Sequence, residues 1–220
     1  MNATMTPHRH VPNSAKSLVR VAAALGLLIL GGCQTLNEAG DIPDVGGTLR
    51  PGVPSDSRAL AVKGAAALRE GRLKDASDYV NAALKINVQS SPLQFMNGFI
   101  YHLRALQSDQ TLFTMAEQGY TLAIQFDPTN WLARFQLGLL HLDRKHYGRA
   151  KAAFADALLF KDNDPELLYY AAVASYYDRD PETAAGLLRR LSEIEPDSPR
   201  LLRSSAMVLA AVGSDAEAKA

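Results

Sequence analysis

One cysteine, Cys33, is all that the 220-residue sequence offers. No intramolecular disulfide can form, so packing alone must hold the fold, whatever the redox compartment. There is no net charge at pH 7: 23 Lys and Arg stand against 23 Asp and Glu. Residues 1–32 hold three basic side chains (Arg9, Lys16, Arg20) and no acid, so the remainder carries 20 bases against 23 acids, a net of −3. A mildly acidic body lacks the clustered basic face of a nucleic-acid binder, and it is not drawn to anionic lipid by a polybasic patch. No apolar run is long enough for a spanning helix. The longest candidate, Val21 to Leu30, has ten residues, where a bilayer core needs about 20.

That short run has its own meaning. Arg9, Lys16 and Arg20 form a positive n-region before it, and Leu30-Gly31-Gly32-Cys33 closes it. A basic start, a ten-residue apolar stretch and small residues at the end read as a secretory leader over residues 1–32. Small residues directly before a lone cysteine resemble the lipobox of bacterial lipoproteins. The resemblance implies cleavage before Cys33, diacylation of its thiol and acylation of the new N-terminus. Several acyl chains hold a protein that one would hold only marginally. Gln34 follows the cysteine. An Asp there would favour the inner membrane under the enterobacterial sorting rule, so the expected location is the outer membrane, with the domain facing the periplasm. Residues 33–56 read as the lipidated N-terminus and a linker. This stretch is rich in Gly and Pro and has no apolar periodicity. At about 3.3 Å per extended residue, it spans tens of ångströms at most.

The remainder, 57–220, repeats. Trp131 to Asp164 is a 34-residue stretch in which Gly138, Tyr147, Ala150, Phe154 and Ala157 fall at positions 8, 17, 20, 24 and 27. Counting forward, residues 165–198 place Ala172, Ala184, Leu188 and Leu191 at 8, 20, 24 and 27. Counting backward, residues 57–90 place Gly64, Ala76, Val80 and Ala83 there. In residues 91–130 Gly98 falls at 8 directly, and six extra residues bring Ala116, Tyr120 and Ala123 to 20, 24 and 27. A capping half repeat, 199–220, follows. A small residue at 8, 20 and 27 lets helices approach closely, and the larger residue at 24 fills the space between them. This pattern resembles the tetratricopeptide repeat. The expected fold is therefore all-α, a right-handed solenoid of about four and a half helix–turn–helix repeats.

Local signals place the helices. Ala and Leu favour a first helix over 58–70, closed by Gly71. Its partner helix runs over 74–86. Ser91-Pro92 reads as a cap with Pro in the first turn of a helix near 93–106. Ser108 or Asp109 caps the next helix, about 111–126. Unit three spans 130–144 and 147–160. Asp180-Pro181 opens the second helix of unit four. The last helix, about 199–212, is expected to cover the apolar face of unit four, as a solenoid end requires.

No catalytic constellation stands out. His102, His141 and His146 lack HExxH, HxH or Cys/His spacing. Gly46-Gly47 has no Lys-Ser/Thr after it, and there is no GxSxG elbow. His141 falls at position 11, where a packing residue is expected. The reading is a non-enzyme without metal, cofactor or small-molecule substrate.

What remains is a binding surface. In tetratricopeptide proteins the concave face is lined by positions 2, 5, 9, 12 and 13 of the first helices. That resemblance implies Pro92, Phe95, Phe99, His102 and Leu103 from unit two. It implies Leu132, Phe135, Leu139, Leu142 and Asp143 from unit three. Unit four offers Glu166, Tyr169, Val173, Tyr177 and Asp178, and unit one is nearly bare (Arg58, Ala61, Ala65, Leu68, Arg69). The expected groove is thus Phe95, Phe99, His102, Phe135, Leu139, Leu142, Tyr169, Val173 and Tyr177, suited to a peptide with hydrophobic anchors. Ala61, Ala65, Leu132 and Leu139 do not supply the Lys and Asn of a carboxylate clamp. One consequence is sharp: Phe99→Glu with Phe135→Glu should abolish partner binding and leave helicity and melting nearly unchanged.

Lipobox, short linker and repeat solenoid together resemble bacterial pilus and secretion lipoproteins, of the pilotin kind or the Flp-pilus TadD kind. The resemblance implies a protein partner, a secretin or another machine component, held while it reaches the outer membrane. Alternatives are a scaffold lipoprotein of an exopolysaccharide export complex and a periplasmic cell-wall factor.

Overall fold

A computed structural model describes residues 55–206, except 108, 197 and 200, together with residue 208. The leader, Cys33, the linker up to residue 54 and the end of the half repeat lie outside the described residues. Eight α-helices follow in order: α1 (Ser55–Arg69), α2 (Leu73–Ile86), α3 (Ser91–Gln107), α4 (Phe113–Phe126), α5 (Trp131–Asp143), α6 (Tyr147–Leu158), α7 (Pro165–Tyr177) and α8 (Pro181–Ile194). A 3-10 turn, Gln110–Leu112, precedes α4. Residues 201–206 are helical again. Consecutive helices pair as α1–α2, α3–α4, α5–α6 and α7–α8, and each pair packs on the next.

Caps set the boundaries. Asn130, Asp164 and Asp180 each accept a hydrogen bond from a backbone N–H three residues on, at 2.9, 3.0 and 3.1 Å. Each satisfies one of the N–H groups that a helix start leaves without a partner. Pro165 and Pro181 occupy the first turn, where a missing N–H costs nothing. Ser91 departs from expectation. It lies inside α3, and its hydroxyl donates to the Ala123 carbonyl at the end of α4, at 2.8 Å. It also accepts from the Asn130 amide, at 3.0 Å. Ser57 does likewise, donating to the Ala83 carbonyl at 3.3 Å.

The turn inside each pair needs one left-handed residue. Gly71 supplies it in the first unit, at φ +74°. Lys145 and Arg179 hold the same place in units three and four, at φ 60° and 62°. All three turns close alike: Arg72, His146 and Asp180 donate their N–H to Ala67, His141 and Ser175, at 2.9, 2.8 and 3.0 Å. These are Schellman turns. In unit two the six extra residues lengthen α3 to 17 residues, against 13 in α5 and in α7, and form the 3-10 turn. Asp109 caps that turn, accepting from the Thr111 N–H at 3.1 Å.

Small residues permit the pairing. A Cβ on Gly64 would meet Val80 at 2.8 Å, and one on Gly138 would meet the Phe154 ring at 2.5 Å. In unit two the contact is backbone on backbone, since a Cβ on Gly119 would lie 2.6 Å from the Gly98 Cα. The buried faces form a row of three cores. The central one joins Phe99, Tyr120, Phe135, Phe154 and Leu167 across units two to four. Smaller ones lie at each end, around Val80 and Ile100 and around Leu168, Leu188 and Leu191. Leu201 and Val208 complete the last, so the terminal segment covers unit four as expected.

Candidate functional site

The first helix of each pair carries the residues expected to line a groove. Burial divides them into two groups. Phe95, Phe99, His102, Phe135 and Leu139 are 6%, 1%, 0%, 3% and 3% exposed, so they belong to the core and not to an accessible groove. Leu142, Tyr169, Val173 and Tyr177 are half-buried and face outward in part. The reason is geometric. Phe95 turns toward Tyr120 on its own partner helix, with ring centroids at 5.9 Å, and lies stacked on Phe99 at 6.3 Å. Phe135 meets Phe154 and Tyr170, both at 5.8 Å. Alanines on the second helices leave room for these rings, and burying a large apolar side chain is worth roughly 1.5–3 kcal/mol. Phe99→Glu with Phe135→Glu would therefore place two carboxylates in the core. It tests folding rather than binding, which corrects the sequence expectation.

The accessible remainder is concentrated in units three and four. Strict counting puts Tyr176 and Tyr177 at positions 12 and 13 of unit four, so Tyr176 replaces Asp178 in the candidate set. Asp178 instead closes α7 and pairs with Lys151 on α6. That ion pair raises the Lys151 ammonium pKa, chiefly through the hydrogen bond to Asp178. Tyr176 and Tyr177 meet edge to face at 5.4 Å, and Tyr177 stacks on Tyr147 at 5.1 Å. Tyr169, Val173, Tyr176 and Tyr177 recur at helical spacing along one side of α7, with Leu142 on α5 at the position equivalent to Tyr176, and all five are half-buried. In unit two Pro92 is exposed and Leu103 half-buried, and in unit three Leu132 is half-buried. Unit one exposes Arg58 and Arg69 and buries Ala65.

A buried polar group was missed as such. His102 on α3 stands between two partners, the Tyr120 hydroxyl 3.2 Å from Nδ1 and the Asp143 carboxylate 3.0 Å from Nε2. The neutral tautomer with the proton on Nε2 satisfies both, donating to Asp143 and accepting from Tyr120. The side chains of His102 and Asp143 are 0% and 6% exposed. Burial, with the Asp143 charge behind it, pushes the Tyr120 phenol well above its ordinary range. An acid, an imidazole and a hydroxyl in line invite a catalytic reading, yet no substrate can reach a hydroxyl on a fully buried ring. The arrangement links unit two to unit three. His102 and Asp143 were both expected on the concave face, and the 3.0 Å contact shows that they meet in the interior instead. His141, expected in the core, is 5% exposed. Among the described residues, no group of three or more His, Cys, Asp and Glu side chains could hold a metal ion. No helix among them is long and apolar enough to cross a membrane.

No family model matches the sequence, and no curated protein matches it either. Solved structures do. A thermophilic TPR protein of Thermus thermophilus is 17% identical over 89% of this chain and 99% of its own, with a TM-score of 0.59. The fold is a tetratricopeptide solenoid. YrrB, described as a TPR protein with an unusual peptide-binding site, is 19% identical over 88% of this chain and 86% of its own, with a TM-score of 0.57. PilF of Pseudomonas aeruginosa is 18% identical over 70% of this chain and 68% of its own, with a TM-score of 0.58. At such identities the tetratricopeptide likeness carries architecture and nothing about partners.

Proposed function

We propose that this tetratricopeptide chain is a periplasmic scaffold, anchored to the outer membrane through Cys33, that binds a protein partner and assists assembly of a pilus or secretion machine. The observation that carries the binding half is the half-buried row Leu142, Tyr169, Val173, Tyr176 and Tyr177 on α5 and α7. Apolar and phenolic side chains on adjacent helices fit a peptide or helix with hydrophobic anchors. The peptide-binding site named for YrrB on the same fold supports such a use. The lipobox Leu30-Gly31-Gly32-Cys33 supports the anchor, and the combination of anchor and solenoid supports the assembly role.

The test is a crosslinked pull-down from the producing cell's own outer membranes, read by mass spectrometry. A secretin or pilus component as the dominant partner is expected, lost in Leu142→Glu with Val173→Glu while the helical circular dichroism is kept. A β-barrel exporter with glycan-modifying enzymes would move the protein to polysaccharide export and overturn the assembly role. Capture unaffected by the double variant would remove the face on α5 and α7 as the site.

A further inference from the structure

The two long edges of the solenoid differ. On one edge the starts of α1, α3, α5 and α7 sit beside the ends of the second helices. The Ser57–Ala83 and Ser91–Ala123 hydrogen bonds fix that adjacency. So do Arg134 over the Phe160 ring at 4.7 Å and Lys161 over the Trp131 ring at 5.6 Å. The other edge carries the turns within pairs. Among the described residues eight large apolar side chains are exposed, and six of them lie on the first edge: Ile86, Val88, Leu159, Phe160, Ile194 and Leu202. Leu159 is 79% exposed and Phe160 44%. The period explains the row, because Ile86, Phe160 and Ile194 all fall at position 30 and the solenoid stacks equal positions in line. Of the other two, Met115 lies at the turn edge and Val62 mid-helix. Charge is exposed on both edges, but the turn edge lacks such an apolar row: Glu70, Arg72, Lys145 and Arg179 are exposed there.

The chain from Cys33 enters this same apolar edge, at Ser55, after 21 intervening residues. A tether of that length limits distance but not orientation. Resting on the lipid-anchor reading above, we propose that the edge bearing Trp131, Leu159 and Phe160 lies against the phospholipid surface. That turns the edge of the within-pair turns away from the membrane. A Trp ring beside Arg and Lys settles at the headgroup level, and Phe and Leu bury at the acyl boundary below it. The nearby charges are mixed, Lys85, Arg134, Lys161 and Arg190 against Asp127, Asp162, Asp164, Glu193 and Glu195. The attraction is therefore interfacial rather than polybasic, and salt does not abolish it.

Trp131 is the only tryptophan of the chain and reports on this edge alone. The experiment takes the processed protein from membranes of the producing cell. It is reconstituted into phosphatidylethanolamine–phosphatidylglycerol vesicles with or without phosphatidylcholine brominated on its acyl chains. Trp131 emission should fall by about twofold with brominated lipid, as for a ring at the interface, in low and high salt alike. Leu159→Glu with Phe160→Glu, both at exposed positions, should remove the quenching and leave flotation and helicity unchanged. A chain that floats with unquenched Trp131 keeps its anchor and overturns the edge. Quenching that survives the double variant overturns it too. So does an unquenched chain that sediments as a dimer only when Leu159 and Phe160 are intact, since the edge then serves self-association. Failure of the anchor is read separately, as an unmodified Cys33 by mass. In that case a maleimide phospholipid coupled to this one cysteine supplies the tether, and the same quenching decides the edge.

Discussion

The same substitution, glycine to alanine inside a helix, should change sign along this chain. Alanine is favoured over glycine by about 1 kcal/mol in a helix interior. At Gly186 in α8 nothing lies within 4 Å of the added Cβ, so the full gain is available. At Gly119 in α4 the Cβ would sit 2.6 Å from the Gly98 Cα, 2.7 Å from its N and 3.0 Å from the Gln94 carbonyl. All three are backbone atoms, which no rotamer change can remove. Carbon atoms rest at about 3.5–4.0 Å, so α3 and α4 must part by about 1 Å. Overpacking of that kind costs typically 1–3 kcal/mol or more. A clash with backbone alone puts the cost near the upper end, so after the ~1 kcal/mol helix gain Gly119→Ala should lose about 2 kcal/mol net, and Gly186→Ala should gain up to ~1 kcal/mol. Gly138→Ala should behave like Gly119→Ala, because its obstacle is the Phe154 ring at 2.5 Å, itself fully buried.

Urea unfolding of the full chain, followed by the helical signal at 222 nm, measures all three. In a domain of this size 1 kcal/mol moves the melting point by roughly 2–4 °C, so a thermal scan should separate Gly119→Ala from Gly186→Ala. If Gly119→Ala matches the parent protein, the close approach of α3 and α4 is wrong. If Gly186→Ala destabilises like Gly119→Ala, space around the Cβ does not decide the sign.

Lys145→Gly and Arg179→Gly should each stabilise the chain by about 0.5–1 kcal/mol, because left-handed backbone costs a side-chain-bearing residue roughly 1–2 kcal/mol and glycine gives back part of that in the unfolded state; urea midpoints check this. Phe99→Glu with Phe135→Glu should lose more than about 4 kcal/mol and most helical signal, since both carboxylates would be buried without partners. Above pH 10 the unfolded chain ionises Tyr120 while the folded chain keeps it neutral, its phenol held high by burial. The folded state then binds more protons, so stability present below pH 10 should be lost as pH rises, by up to about 1.4 kcal/mol per unit. Tyr120→Phe should reduce that slope, leaving the smaller share of Tyr177, whose phenol burial also raises, as compared by denaturation at pH 9 and pH 11.

The fold was legible because it is periodic. Residues at 8, 20, 24 and 27 meet the same neighbours in every unit, so one stretch could be checked against three others. Caps such as Asp180 were equally legible, since an N-cap acts within three residues of itself. Other features depend on contacts the period does not encode. Lys145 and Arg179 look like ordinary surface residues, and only alignment with Gly71 at position 15 hints at their backbone. Ser91 reads locally as a cap, yet its hydroxyl is drawn to a carbonyl 32 residues on, at Ala123. Gly119 falls outside the small positions of the pattern, and its role arises from the lengthened unit two. The groove failed for a related reason. Whether position 5 or 9 faces solvent depends on the size of residues on the partner helix, and Phe95 and Phe135 found room beside alanines there.

That burial has a mechanical consequence. Unit two contributes Phe95, Phe99 and His102 to the interior, and His102 reaches Asp143 across the boundary to unit three. Removing one partner of a buried hydrogen bond costs about 1–3 kcal/mol, and more where the group left behind is charged, so the two units resist separate movement. The face on α5 and α7 is thereby held at a fixed attitude to the edge by which the chain from Cys33 enters. His102→Leu tests this link, because it leaves the Asp143 carboxylate buried without its imidazole. Hydrogen exchange should quicken at the α3–α5 boundary while α7 and α8 stay protected. Uniform quickening through all four units would instead mean that the solenoid opens as one body and that His102 is no local joint.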